Sequence, residues 1–281
     1  MSDLLIFGLG YSAQRIAVRL KARGWRVTGT SRSGDNGTLR FEATDDVLAA
    51  IARATHILSS VPPGDAGSDP VLLRYGAALR DRGLWLGYLS STGVYGDVAG
   101  AWVDEQSPLA GRRGERVAAD QAWLALGARV FRLPGIYGPG RSALDRVAGG
   151  RGHRIDLPGQ VFSRVHVDDI ARGVIAGFAG PPGAYNLGDD APCSQNDVID
   201  FACRLLGQSP PPLMTMDEAG LSPMARGFYA ENRRVANGKA RRLLGWQPRY
   251  RDYRAGLRAL RAITSPSIVS AAPAAASNDQ R

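Results

Sequence analysis

The chain has 281 residues, 44% hydrophobic and 22% charged, an ordinary balance for a globular protein and enough for one large α/β domain or two small ones. No apolar run approaches the roughly 20 residues of a membrane span. Met1-Ser2-Asp3 carries an acid where a signal peptide carries basic residues, so the expectation is a cytoplasmic protein with no membrane partner. Cys193 and Cys203 are too few and too far apart for a zinc site, a CxxC redox pair or a disulfide scaffold, and no metal is expected. The net charge of +9 raises nucleic acid as a partner. Its basic residues, however, are spread out in short pairs such as Arg112-Arg113, Arg233-Arg234 and Arg241-Arg242, with no accompanying nucleic-acid motif, so none is expected.

Strands and helices alternate from the start. Residues 4–7 form a short apolar run ending in glycines, as a buried parallel strand does. Ala13, Ile16, Ala17 and Leu20 then recur at helical spacing, with Gly24 to close the helix. A second strand is predicted over 26–30 and a short third one around Phe41. Val47, Leu48 and Ile51 suit a helix entered from Asp45 or Asp46. The next strand covers 56–61 and is stopped by Pro62-Pro63; a helix over 70–82 and a strand over 85–90 follow. A helix over 115–126 leads to a strand over 128–133. In the more mixed second half, 168–179 reads as helix, 184–187 as strand, and 253–263 as the last helix. Ser194 caps a helix running to Leu206, with Asp197 three residues on and Gly207 at its end. Such alternation predicts an α/β, Rossmann-type, doubly wound parallel sheet with a smaller mixed C-terminal substrate lobe. The expected unit is 1–264; residues 265–281, rich in Ser, Pro and Ala and then polar, read as a disordered tail.

Gly8-Leu9-Gly10-Tyr11-Ser12-Ala13 is a GxGxxA sequence between the first strand and the first helix, the context in which that motif binds a dinucleotide. Gly8 permits the tight turn, Gly10 lets the backbone approach a pyrophosphate, and Ala13 allows close helix–strand packing. The helix N-terminus offers free N–H groups to the anion. About 20 residues on, a site for NAD places a carboxylate against the ribose 2′-hydroxyl. The second strand here ends Thr30-Ser31-Arg32, with no carboxylate to repel a 2′-phosphate and an arginine to pair with one. NADP is therefore the expected cofactor, ahead of NAD, although an arginine in such a loop is commonly just solvated.

Six segments then resemble, in order, the extended short-chain dehydrogenase/reductase superfamily in its NAD-dependent epimerase/dehydratase branch. They are residues 89–96 (LSSTGVYG), 102–105 (WVDE), 132–140 (RLPGIYGPG), 165–171 (VHVDDIA), 185–188 (YNLG) and 243–248 (LLGWQP), and the resemblance spans about residues 3–262. It implies that Gly8, Gly10 and Ala13, with Tyr11 and Ser12 between, form the cofactor loop. Ser59, Ser60 and Val61 would line the adenosine and ribose side, and Pro134, Gly135 and Ile136 the nicotinamide side. Ser91 takes the place of the catalytic Ser/Thr. The family's dimers pair through the helices after the fourth and fifth strands, which implies a homodimer.

One departure is serious. The family's YxxxK pair, in which lysine lowers the pKa of a proton-exchanging tyrosine, maps onto Arg112 and Arg116. Four residues before the two lysines, Lys21 and Lys239, stand Ala17 and Val235, so the chain contains no YxxxK. Arginine keeps its proton near neutral pH. Arg116 remains able to bind ribose or phosphate. Arg112 either holds an anionic substrate or faces solvent. Tyr95 is a substitute acid/base or a structural turn residue, and Tyr137 has the same standing. His166 beside Asp168 and Asp169 suggests a metal or acid/base pair, against a plainer reading as a strand–helix junction with one Asp as N-cap. His56 reads as structural and Trp246 as a core anchor, while His153 lies in an Arg/Gly-rich segment able to cover the substrate. Asp104 and Glu105 read as a solvated loop or as cleft residues. The leading expectation is an NADP(H)-dependent oxidoreductase or epimerase/dehydratase-like enzyme acting on a small polar molecule, nucleotide sugars being one class. The alternative is a catalytically silent NADP(H)-binding sensor or scaffold.

Overall fold

The structure, a computed structural model, describes residues 2–64, 68–80 and 83–264. Its first half runs β1 (Asp3–Phe7), α1 (Tyr11–Lys21), β2 (Arg26–Ser31), β3 (Leu39–Arg40), α2 (Thr44–Arg53), β4 (His56–Ser59), α3 (Pro70–Leu79) and β5 (Trp85–Ser91). A 3-10 turn (Thr92–Tyr95), β6 (Trp102–Val103), α4 (Gly114–Ala125) and β7 (Arg129–Leu133) follow. The second half contains β8 (Gly135–Tyr137), α5 (Ala143–Ala148), β9 (Arg154–Ile155), β10 (Arg164–His166), α6 (Val167–Ala176) and β11 (Gly183–Asn186). It ends with α7 (Gln195–Leu206), β12 (Leu213–Met214), α8 (Pro223–Tyr229), β13 (Arg234–Val235), α9 (Gly238–Leu244) and α10 (Tyr253–Thr264).

Seven of the described strands make one parallel sheet in the order β11-β7-β5-β4-β1-β2-β3. The order reverses between β1 and β4, so their C-terminal ends open the crevice where α/β sheets take ligands. Side-chain alternation along β1 explains why both faces are covered. Leu4 and Ile6 meet Ala13, Ile16 and Leu20 of α1 and Ile170 and Val174 of α6 on one face. Leu5 and Phe7 meet α2, α3 and Trp123 of α4 on the other. The doubly wound sheet predicted from the alternation is present. Tyr137, Leu144, Ile199, Tyr253 and Leu257 form a separate apolar cluster under the C-terminal lobe, built from α5, α7 and α10.

Several boundaries differ from expectation for local reasons. The third strand sits at Leu39–Arg40, and Phe41 follows it; its ring packs on Phe7 and Tyr75. The second helix begins at Thr44 behind Ala43, which supplies no side-chain cap, so Asp45 and Asp46 lie in its first turn instead of capping it. The helix expected over 70–82 ends at Leu79, and residues 81–82 lie outside the described residues. So does the tail expected over 265–281. The capped helix at Ser194 forms as its sequence specifies, with a reciprocal Ser194–Asp197 capping box and Gly207 in the left-handed conformation.

Asp69 ties the helix layer to the sheet. Its side chain accepts from the N–H groups of Val71 and Leu72 at the start of α3, and its other oxygen accepts from Trp123 Nε1 at 3.0 Å. Trp123 is fully buried and stacks on Tyr88 of β5, with ring centroids 5.5 Å apart. Asp69→Ala removes a cap and strands a buried indole N–H, so a stability loss of about 3 kcal/mol is expected. Denaturant unfolding with an unchanged slope checks this, and a loss under about 1 kcal/mol would contradict it.

Candidate active site

The glycine loop has the shape an anion requires. Gly8 has φ +78°, and a Cβ there would meet Val61 Cγ2 at 3.0 Å and Ser60 Oγ at 3.2 Å, so glycine is required on both counts. A Cβ on Gly10 would meet nothing within 4 Å, which leaves the space in front of it open. Gly10 is the N-cap of α1 and gives no side-chain hydrogen bond, so the first N–H groups of the helix lack a side-chain acceptor. The Thr30 hydroxyl accepts from Gly8 N, and the Ser60 hydroxyl donates to the Gly8 carbonyl, fixing the turn from both neighbouring strands. These features fit a dinucleotide pyrophosphate at the helix N-terminus.

The predicted cofactor residues divide into those that reach this crevice and those that do not. Val61 and Ser60 pack on the glycine loop. Ser59 is wholly buried in β4, so it has no surface to offer a ligand. Ser31 closes the turn after β2, accepting from Gly34 N at 2.9 Å and sharing a 2.8 Å hydrogen bond with Thr38. Arg32 is exposed, and no carboxylate of the described residues lies within ion-pairing distance of it. Tyr11 leans away from the loop: its hydroxyl donates to Pro139 O at 3.0 Å, and Arg141 lies 4.9 Å over its ring. Tyr11 and Arg141 therefore join the phosphate loop to the segment after β8, which adjoins the cleft. Ala13 is fully buried against the sheet, as close packing requires.

Beyond the loop lies a cavity of about 450 Å³. Ser91, Arg116, Pro134, Gly135 and Ile136 line it, together with Arg112. The structure thus brings the predicted catalytic serine and the nicotinamide-side residues to one wall. Ser91 is half-buried at the end of β5, and its oxygen accepts from Gly93 N at 3.1 Å, leaving its own proton free for a ligand oxygen. Glu231 and Arg233 also line the cavity, and nothing in the local sequence signals their place there. Arg112, proposed to hold substrate, is instead engaged within the protein. Its Nε donates to Glu231 Oε1 at 3.0 Å and its Nη2 to Gly227 O at 2.7 Å. Arg233 donates to the other Glu231 oxygen at 2.6 Å. The two arginines clasp the 227–233 segment over the cleft.

Tyr95 is not available as an acid/base. It is fully buried, its hydroxyl donates to Asn186 Oδ1 at 2.8 Å and accepts from Arg132 Nη1 at 3.0 Å, and burial pushes its pKa up to about 12 against the pull of Arg132. Arg132 in turn grips Asp120 of α4 through two bonds, Nη2–Oδ1 at 2.7 Å and Nε–Oδ2 at 3.1 Å, with both side chains buried. Ser90 Oγ donates to the same carboxylate at 2.6 Å. Burial opposes the Arg132 charge, but the Asp120 and Tyr95 oxygens more than offset it. Glu105 also belongs here and not to a solvated loop: its Oε1 accepts from Asn186 N at 2.7 Å, and burial raises its pKa. Asp104 stays at the surface, accepting from Gln106 N and Ser107 N in a turn. Tyr137 is likewise buried, its hydroxyl directed to Asp252 O at 3.4 Å.

His166 replaces an aspartate as the N-cap of α6. Its Nδ1 accepts from Asp168 N at 3.1 Å, which places the proton on the buried Nε2, and Asp168 and Asp169 fall inside the helix. Asp169 accepts from Arg249 N and Tyr250 N, and the Trp246 indole donates to its carbonyl. His56 packs among Trp25, Trp85 and Phe178, and His153 Nε2 lies 3.4 Å from the Tyr229 hydroxyl. Among the described residues no group of three or more His, Cys, Asp or Glu side chains is arranged to hold a metal ion. Nor is any described helix long and apolar enough to cross a membrane.

Two stability predictions follow from these contacts. Asp120→Ala leaves Arg132 buried without its carboxylate, and a loss of about 3–5 kcal/mol is expected from denaturant unfolding; a loss below about 1 kcal/mol would contradict the pairing. The second concerns pH. Burial lowers the His166 pKa to about 4, with Asp168 opposing the shift, so the unfolded chain takes up a proton near pH 6.5 that the folded chain refuses until about pH 4. That contribution is complete above pH 6.5 and falls as the pH drops toward 4. His166→Asn, which keeps a cap, should lose about 3 kcal/mol less than the native chain between pH 7 and 4 in matched unfolding experiments. Equal losses in the two proteins would refute the assignment.

No family model matches the chain. It is 28% identical to Protein YeeZ of Escherichia coli (strain K12), over 90% of this chain and 97% of that protein. Among solved structures, a conserved protein of unknown function from Silicibacter pomeroyi DSS is 44% identical, covering 95% of this chain and all of that one, with a TM-score of 0.86. A putative NAD-dependent epimerase/dehydratase from Methylobacillus flagellatus is 25% identical over 93% of this chain and 98% of that one, with a TM-score of 0.73. A human epimerase family protein solved with NADPH shares the fold at 16% identity over 92% of this chain and 99% of that one, with a TM-score of 0.73.

Proposed function

We propose that this chain, which belongs to the extended short-chain dehydrogenase/reductase superfamily, is an NADP(H)-dependent oxidoreductase or epimerase/dehydratase-like enzyme acting on a small polar substrate. The observation that carries the reading is the uncapped N-terminus of α1 behind an open Gly10, with unpaired Arg32 at the end of β2. In this reading the first N–H groups of α1 hold the pyrophosphate, and Arg32 holds a 2′-phosphate through parallel N–H bonds. Pro134, Gly135 and Ile136 wall the nicotinamide side. The bound cofactor supplies hydride transfer.

The chain's own groups orient and polarise the substrate. The Ser91 hydroxyl donates to the substrate oxygen, and the positive charges of Arg116 and Arg233 favour negative charge developing there. A guanidinium has no acceptor atom, so in this reading the proton exchanged with that oxygen passes by way of Ser91 and solvent. The capture of Arg112 by Glu231 and the burial of Tyr95 favour a second reading, a binding protein that senses NADP(H) without turnover. The NADPH bound to the human neighbour supports the nicotinamide part of both readings.

Calorimetric titration of the ligand-free protein tests the cofactor assignment. NADPH is expected to bind at least about tenfold more tightly than NADH, and Arg32→Ala to erase that difference while leaving NADH unchanged. Folded protein that binds neither nucleotide would overturn both readings. Bound NADPH with no turnover across carbonyl and sugar substrates would leave the sensor.

A further inference from the structure

A second cavity, of about 380 Å³, opens beside the first and shares Gly135, Ile136, Arg141, Phe162 and Phe228 with it. It is the side of the cleft facing the C-terminal lobe. Arg164 and Arg146 both line it. Arg164 is 7% exposed, and no carboxylate of the described residues lies within 4.0 Å of it. Its guanidinium is held by neutral acceptors only: the carbonyls of Phe162, Cys193 and Ser194, the Cys193 sulfur and the Gln195 side chain, at 2.9–3.2 Å. Asp189 stands behind it, with its N–H on the Arg164 carbonyl, but burial pushes that carboxyl up to about 7 and it makes no ion pair. Arg146 lacks a carboxylate as well, because its neighbour Asp145 is committed to the Ser142 capping box. Arg146 is exposed at the cavity rim, yet its pKa is drawn downward by desolvation first and by the Arg164 charge second. Two guanidinium groups on one cavity wall repel each other unless an anion lies between them.

Part of the remaining wall is apolar. Ile136, Val198, Tyr253 and Leu257 close the inner side. At the border of the two cavities Phe162 and Phe228 stack in parallel, with centroids 4.8 Å apart and planes at 11°. Phe228 is 52% exposed, so a face remains for a planar ligand. Ser142 on this wall donates to Asp145 and the Gln195 amide oxygen accepts from Arg164, while the Gln195 amide nitrogen and the Tyr253 hydroxyl make no hydrogen bond among the described residues. An anion with a ring is matched by the positive charge and the apolar surface together.

We infer that the substrate is a small aryl anion, its carboxylate or phosphate held by Arg146 with the Arg164 charge behind it and its ring laid on Phe228, so that its other end points toward Ser91. This rests on the enzyme reading above and narrows its substrate away from nucleotide sugars.

Calorimetry with and without NADP⁺ tests it, using trans-cinnamate, phenyl phosphate, cinnamamide, inorganic phosphate and UDP-glucose. One of the two aryl anions should bind at least about tenfold more tightly than cinnamamide, inorganic phosphate and UDP-glucose, and the tighter one identifies the anionic group. Arg146→Gln should weaken it about tenfold, with Arg146→Lys recovering part of the loss. Arg164→Gln risks unfolding the lobe, which is why Arg146 carries the test. Phe228→Ala should weaken the aryl anions several-fold and leave inorganic phosphate unchanged. Equal binding of cinnamate and cinnamamide, no binding of either aryl anion, an indifferent Arg146→Gln, or tighter UDP-glucose would each overturn the inference. Aryl-anion binding by protein that ignores NADPH would overturn the cofactor reading and keep this site; the reverse result would do the opposite.

Discussion

The carboxylate of Asp120 and the guanidinium of Arg132 lie together in the core, and the geometry of the cleft depends on them. Removing two charges from water costs several kcal/mol each, and the cost is offset only when every donor and acceptor is matched. Here the matching draws in four parts of the chain. Asp120 belongs to α4, Ser90 to β5, Arg132 to β7, and Tyr95 to the 3-10 turn. Asn186 at the end of β11 accepts a hydrogen bond from the Tyr95 hydroxyl and donates one to the Ala236 carbonyl. Any slip of β5 against β7 would leave a charge or a hydroxyl orphaned in a dry interior. The register Ser90 opposite Arg132 is therefore fixed, and Ser91, the next residue, is delivered to the cavity wall opposite Leu133.

What the sequence made legible follows from how local each signal is. The glycine loop, the Ser194–Asp197 capping box and the alternation of β1 through β7 are written in neighbouring residues, where φ angles, caps and side-chain period act. The short strands β8, β10 and β13 are two or three residues long and owe their existence to partners far along the chain, so no periodicity announces them. The same holds for function. Glu231 and Arg233 come to the cleft from more than 110 residues beyond Arg112, held there by ion pairs and not by any motif. Nothing in the helix sequence around Asp120 singles it out, because its importance is the absence of water around it. His166 could be placed at a strand–helix junction, but whether it or an aspartate caps the helix turns on side-chain direction, which spacing does not encode.

The family segments take on a different meaning in this light. Tyr95, Glu105, Arg132 and Asn186 come from four separate motifs, and all meet in one buried polar network. Their meeting is explained by mutual satisfaction: each needs the others to avoid an unpaired polar group in the core. A resemblance carried by these residues thus tracks architecture. It supports the sheet, the crevice and the position of Ser91, and it says little about which proton moves where.

The chemistry must then come from what faces the open cleft, and there the balance is one-sided. Arginines line both cavities, while the carboxylates among the lining residues are Glu231, spent on Arg112 and Arg233, and Asp145, spent on a helix cap. Excess fixed cations in a partly enclosed space lower the energy of any negative charge that enters or develops there. In the usual arrangement a lysine cation serves mainly to make a tyrosine acidic. On the enzyme reading proposed above, cationic groups in the cleft would act on the ligand directly, as counter-charges for an anionic substrate and for an oxyanion beside Ser91. On that reading, the absence of YxxxK from the sequence and the arginines on both cavity walls point the same way, to a site that works through its field and not through a tuned proton donor.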